Sequence, residues 1–310
     1  MKLKKWRVRT MPKQPNFIED VHSIYIGSGT KAFQGFEVNE VLFKGKSPYQ
    51  DVAVYSNDAL GRVLVLDDIV QITSVDEFIY QEMMAHVPLF AHGEAENVLI
   101  IGGGDGGILR EVLRHKNIKK AVMAEIDQMV IDACVKHMPE INQAGAIYED
   151  ERAVLIVGDA FEYVRNTDVK FDVVIIDSTD PIGPGEKLFT PDFYRNLSNI
   201  LSPRGFVSTQ GGVPLFQPGE VAQTLSSLET VGLNTDCYIA AVPTYYGGYM
   251  TLGFASNQKE LHTSLDVLEQ RYQDAGFATK HYSPNIHIAS FVLPPWIEAD
   301  VKPKQKQEAA

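Results

Sequence analysis

The sequence predicts an α/β fold: a small N-terminal antiparallel β-domain, then a doubly wound parallel sheet with a C-terminal antiparallel hairpin. Three observations carry this. Short Val-, Ile- and Tyr-rich runs between Gln34 and Thr73 are broken by Asn, Asp and Gly, the pattern of consecutive hairpins. From Asn97 onward, apolar runs of strand length alternate with helical stretches, as in parallel βα units. Several runs are apolar throughout, as in Val173-Val174-Ile175-Ile176, so both faces of those strands are expected to be covered.

Residues 1–33 show no clear periodicity and are read as an N-terminal extension. Residues 34–75 form the β-domain. Residues 51–57 read as a strand, Asn57 to Gly61 as a turn, then Arg62–Leu66 and Ile69–Thr73 as further strands. Ser74 followed by Glu77 matches a capping box. Ile79, Met83, Val87 and Phe90 then recur at helical spacing, predicting a helix from about Asp76 to Phe90 with Tyr80 and Gln81 in its first turns. The larger domain is placed at residues 76–300, with strands at Val98–Ile101, Ala121–Glu125, Val154–Val157, Val173–Asp177 and Phe206–Thr209. Asp236–Val242 and Met250–Ala255, joined by a Tyr/Gly turn, read as the added hairpin. The polar tail, residues 301–310, is expected to be frayed.

Composition narrows the function classes. The chain is 45% hydrophobic and 22% charged, which suits a soluble globular domain. It has no apolar run long enough to span a membrane, and its basic start lacks the apolar stretch of a secretory signal. Only Cys134 and Cys237 are present, without a CxxC pair or a His/Cys cluster. Neither a disulfide framework nor a metal site is expected, and the chain fits a reducing cytoplasm. A net charge of -12 runs against nucleic-acid binding. It is compatible with drawing in a cationic substrate, although acidic soluble proteins are common.

The first chemical motif is Gly102-Gly103-Gly104-Asp105-Gly106-Gly107, placed between a predicted strand and a predicted helix. Its glycines let backbone amides approach a ligand, and Glu125, ending the next strand, suits the hydroxyls of a ribose. A dinucleotide would bring a pyrophosphate to this loop. Asp105 puts a carboxylate there instead, which favours a nucleoside with a positive sulfonium; it can also cap its own backbone. Asp159, after the third strand, can accept from an adenine amino group beside the Ala160 amide, or act as a helix N-cap. The fourth strand ends in Asp177-Ser178-Thr179-Asp180, with a Pro/Gly-rich segment behind it. Ligands bind at such strand ends, and the segment reads as a lid. A primary amine has a pKa near ~10 and must lose a proton before it attacks carbon. A carboxylate can hold the ammonium and take that proton. Tyr80 and Tyr245 can offer ring faces to cations, and Gln50, Gln81 and Gln210 neutral hydrogen bonds.

These stretches resemble the spermidine/spermine synthase family. The resemblance rests on YQD at 49–51, LDDIVQITSVDEFIYQEMMAHVPL at 66–89, VLIIGGGDGGILREVLRH at 98–115, AEID at 124–127, VGDAFEYV at 157–164, DVVIIDSTDPIGPGEKLF at 172–189, VPTYYGG at 242–248 and HIASFVLP at 287–294. It covers most of residues 34–296 and is closest to the bacterial-type spermidine synthases. It implies a Rossmann-like, methyltransferase-type domain behind a β-domain that contributes to assembly as a homodimer or homotetramer. It implies transfer of a 3-aminopropyl group from decarboxylated S-adenosylmethionine, a co-substrate rather than a resident cofactor, to putrescine, without a metal. Asp177 would be the catalytic base. Asp180 and Gln81 would bind the acceptor, with Tyr80 and Tyr245 along its channel and Gln210 nearby. Asp105 would hold the aminopropyl ammonium, Gln50 the nucleoside and Glu125 its ribose. Asp159, Ala160 and Pro184 would border the adenine, with Gly102 and Gly104 in the binding loop.

One departure bears on the acceptor. Some members carry Gln-Gly-Glu where this chain has Gln210-Gly211-Gly212, so the acid that helps anchor the far amine is missing. Cadaverine, agmatine and spermidine remain open beside putrescine. A methyltransferase using ordinary S-adenosylmethionine is a second enzyme reading; that donor keeps a carboxylate, which Asp105 and Asp177 would repel. A non-catalytic polyamine-binding homologue is a third, and retention of both Asp177 and Asp180 argues against it.

Overall fold

The computed structural model describes residues 16–20, 33–178, 183–246 and 248–301. The side chains of Asn16, Asp20, Gly183, Pro184 and Glu186 fall outside that description. Strands β1 (Asn16–Asp20) and β2 (Phe33–Glu37) pair as an antiparallel ribbon. Strands β3 (Glu40–Lys46), β4 (Asp51–Asn57), β5 (Gly61–Leu66) and β6 (Ile69–Thr73) form a four-stranded antiparallel sheet in sequence order. Its strands are apolar on both faces for a structural reason. Val52, Val54 and Leu64 pack on Val130, Cys134 and Met138, in and just after the helix Gln128–His137, while Ala53, Tyr55, Val63 and Val65 pack on Phe17 and Phe36 of the ribbon. The strand at β1 lies in the stretch where the sequence shows no periodicity. Five residues, of which Phe17 and Glu19 are buried and Ile18 is exposed, are too few to establish a period of two.

Helix α1 (Glu77–His92) follows and is buried almost all round. It starts and ends within two residues of the expected limits, but the expected capping box does not form. The Ser74 hydroxyl accepts from the Arg62 amide at 2.9 Å, in the β-domain. Glu77 turns instead to Arg110, at 2.9 and 3.2 Å. The N-cap is Asp76, whose side chain makes no cap bond. Tertiary partners have taken every group that local sequence assigned to the cap.

The larger sheet has seven strands, in the order β12-β13-β11-β10-β7-β8-β9. Strands β7 (Asn97–Gly102), β8 (Lys120–Glu125), β9 (Ala153–Val157), β10 (Phe171–Asp177) and β11 (Leu201–Gln210) are parallel. The hairpin β12 (Asn234–Ala241) and β13 (Tyr249–Ser256) joins antiparallel through β13. Helices α2 (Gly107–Leu113), α3 (Gln128–His137) and α4 (Pro139–Asn142) precede β9, α5 (Ala160–Asn166) precedes β10, and α6 (Pro191–Ile200) precedes β11. Alternate residues of the central strands feed two cores. Val98 and Ile100 meet Met83 and Val87 of α1 on one face, and Leu99 and Ile101 share the other face's core with Phe193 and Leu197 of α6.

The chain runs β7, β8, β9 toward one edge and then returns to β10 beside β7, so the topological switch falls between β7 and β10. Gly102 is the register partner of Asp177 there. A crevice opens at such a point because successive connections leave in opposite directions. No described helix is long and apolar enough to cross a membrane.

Candidate active site

The crevice is a cavity of about 460 Å³ at the carboxyl ends of β7, β8 and β10, roofed by β5 and β6 of the small sheet. The glycine loop forms its floor by necessity. Gly102 and Gly103 have φ of +81° and +74°, a region costly for other residues. A Cβ on Gly102 would stand 2.1 Å from the Asp177 carbonyl oxygen. A Cβ on Gly104 would reach within 3.0 Å of the Glu125 carboxylate. The turn therefore brings three acids onto one wall: Asp105, Glu125 and Asp177 all line the cavity.

Each acid is held differently. The Asp105 carboxylate accepts from its own helix at the Gly107 amide, 2.8 Å, and from the Gln81 amide at 2.9 Å. Burial and the neighbouring Asp177 push its carboxyl up to about 8. Glu125 accepts from the Asp127 amide at 2.8 Å, yet burial raises it to about 7. Asp177 is half-buried and accepts from the Tyr80 hydroxyl at 2.6 Å. Burial lifts it to about 6, and the tyrosine bond opposes that rise. These directions follow from placing anions together away from bulk water.

Of the residues singled out from sequence, Gln50, Tyr80, Gly102, Gly104, Asp105, Glu125, Asp159, Ala160, Asp177, Gln210 and Tyr245 line this one cavity. The Tyr80 and Tyr245 rings meet edge to face, with centroids 5.9 Å apart. The Gln50 amide donates to Asp127 at 3.0 Å. Asp159 caps α5 at the Phe161 amide, 2.9 Å, and also takes the Lys187 ammonium at 3.0 Å. Gln81 stands behind Asp105, fully buried, with Oε1 unpartnered among the described residues. Gln210 accepts from the Gly212 amide at 3.1 Å, and its Nε2 is buried with no partner among the described residues. Asp180 and the side chain of Pro184 lie outside the described residues.

The structure adds a residue that sequence reasoning missed. Glu19 on β1 reaches the same cavity and is 4% exposed, its carboxyl raised to about 7 by burial. The Gln34 side chain donates to it at 2.8 Å, and the Tyr246 hydroxyl donates to its backbone carbonyl at 2.7 Å. The only local signal was one acid at an inward position between Ile18 and Asp20. Among the described residues lining the cavity, every charged side chain is a carboxylate. A lining of one sign of charge attracts ions of the opposite sign. No group of three or more His, Cys, Asp or Glu is arranged to hold a metal ion among the described residues.

The spermine/spermidine synthase domain matches residues 77–265, and the spermidine synthase tetramerisation domain matches residues 30–74. The chain belongs to the spermidine/spermine synthase family. Within that family it is 46% identical over 265 residues to a polyamine aminopropyltransferase of Yersinia pestis (strain Pestoides F), covering 85% of this chain and 89% of that one. It is 43% identical over 266 residues to a polyamine aminopropyltransferase of Ruegeria sp. (strain TM1040), covering 86% and 93%. A spermidine synthase solved in complex with the transition-state analogue AdoDATO superposes with a TM-score of 0.84 at 34% identity, over 96% of this chain and 99% of that one. The spermidine synthase from Thermotoga maritima gives 0.83 at 33% identity, over 97% and 99%.

Proposed function

We propose that this family member is a spermidine synthase, transferring the 3-aminopropyl group of decarboxylated S-adenosylmethionine to putrescine. The observation that carries this reading is the cavity whose charged side chains, among the described residues, are all carboxylates, with Asp177 and Glu19 both lining it. Both substrates are cations. The analogue complex of a relative fits the same donor.

In this reading Glu125 and Gln50 hold the nucleoside, and Asp159, Ala160 and Pro184 border its base beside the Gly102–Gly104 loop. Asp105 faces the aminopropyl ammonium. Asp177, oriented by the Tyr80 hydroxyl, takes a proton from the acceptor ammonium. The freed lone pair attacks the methylene carbon next to sulfur. The carbon–sulfur bond breaks, its electrons stay on sulfur, and methylthioadenosine leaves as a neutral thioether. Base catalysis of this kind contributes ~10²–10⁴-fold. Tyr245, Gln210, Gln81 and Asp180 complete the acceptor side. Glu19 supplies the far carboxylate that Gly212 does not, which restores a two-ended site for a diamine. The enzyme works in the cytoplasm as a homodimer or homotetramer.

The test is release of methylthioadenosine from the decarboxylated donor with putrescine, cadaverine, agmatine and spermidine in parallel. Putrescine is expected to give the highest kcat/KM, and no release with any amine would sink the proposal. Asp177→Asn is expected to cut turnover by ~10²-fold or more while methylthioadenosine binding by calorimetry persists. Near-normal turnover would remove Asp177 from the base role.

A further inference from the structure

We propose that Asp76 is a positioning residue for the acceptor amine, acting through the loop between β12 and β13 without touching substrate. The inference rests on the aminopropyl-transfer reading and goes beyond it. Asp76 occupies the N-cap of α1, where an Asp ordinarily accepts from the first free amides of its helix. Its carboxylate makes no such bond. One oxygen accepts from the Thr73 hydroxyl at 2.7 Å and the Thr244 hydroxyl at 3.0 Å. The other accepts from the Thr244 amide at 3.0 Å and hydroxyl at 2.8 Å. Asp76 is 5% exposed and is not one of the residues lining the cavity.

Thr244 begins the segment that shapes the acceptor side. Its carbonyl accepts from the Gln34 side chain at 3.1 Å, and the same nitrogen donates to the Glu19 carboxylate at 2.8 Å. Tyr245, next in sequence, donates to the Gln71 carbonyl at 2.7 Å and packs its ring on Tyr80. Tyr246 donates to the Glu19 carbonyl and accepts from the Gln34 amide. One buried carboxylate thus joins the end of β6, the start of α1 and the loop that carries Tyr245 and Tyr246, the latter bonded to Glu19 of β1. The nucleoside side, formed by Gln50, Asp127, Glu125 and the glycine loop, shares no hydrogen bond with it among those described. A lesion at Asp76 is therefore expected to separate acceptor from donor.

Steady-state kinetics of the full chain test this, varying each substrate in Asp76→Asn, Thr244→Val and Thr244→Ser. Asn is nearly isosteric but presents N–H groups to the Thr244 amide, and Val removes the hydroxyl. Both are expected to raise the putrescine KM by ~10-fold or more, since small misplacements at a site are costly. The donor KM should stay within ~2-fold, because only acceptor binding has been touched. Thr244→Ser restores the hydroxyl and should return the putrescine KM close to wild type. Equal shifts in both KM values overturn the inference, as does a fall in kcat alone that matches the folded fraction from thermal melts. If the wild type transfers to no amine, the activity reading fails. Calorimetry with putrescine then decides on Asp76: weaker binding in Asp76→Asn supports it, and unchanged binding or no wild-type binding overturns it.

Discussion

Asp105, Glu125, Asp177 and Glu19 have carboxyls raised to about 8, 7, 6 and 7 in the free protein, chiefly by burial. An unfolded chain returns them to about 4. Between those limits the folded state holds more protons than the unfolded state, so their contribution to stability is present below pH ~4 and is lost as pH rises through ~8. A dication reverses this, because it favours the ionised carboxylates. Putrescine is therefore expected to raise the melting temperature more at pH 8 than at pH 6, in scans with and without the amine. Equal increments would show that these acids do not meet the ligand. Below pH ~6 Asp177 holds its own proton, so kcat/KM should fall on the acid side.

At the scale of elements, the decisive contact is the one between the ends of β7 and β10. Gly102 combines φ +81° with a 2.1 Å approach to the Asp177 carbonyl. Gly102→Ala carries backbone strain of ~1–3 kcal/mol together with overpacking against β10. Denaturant unfolding is expected to show a loss of at least ~2 kcal/mol, and a neutral result would mean that the loop relaxes freely. Helix α1 shows the complementary point. It tolerates a start without a side-chain cap because its first residues hold partners elsewhere: Asp76 the β12–β13 loop, Glu77 the Arg110 guanidinium. Glu82, one turn further on, accepts from the amides of Lys280, His281 and Tyr282 at 2.7–2.8 Å, pinning a distant segment to the same helix.

Across the whole molecule, the small β-domain is part of the site. Leu64, Leu66, Ile69, Val70 and Ile72 wall the cavity, and β1 carries Glu19 into it. Ile18 and Phe33 of the ribbon and Val41 of β3 are 62, 56 and 46% exposed, and residues 30–74 match a tetramerisation domain. Light scattering is expected to give two or four times the 34.5 kDa chain mass. A monomer at micromolar concentration would exclude assembly through residues 30–74.

How much of this was legible in the sequence follows the range of the forces involved. Hydrophobic runs, glycine spacing and acids at strand ends are local, and they determined the sheet, the glycine loop and the grouping of Asp105, Glu125 and Asp177. Three things needed tertiary structure. The α1 cap went to distant partners, because buried hydrogen bonds outweigh a local capping preference. Glu19 became part of the site only through the pairing of β1 with β2, a contact that five residues cannot signal alone. And the carboxyl shifts come from enclosure, since an acid's charge is set by the water and neighbours around it rather than by its place in the chain.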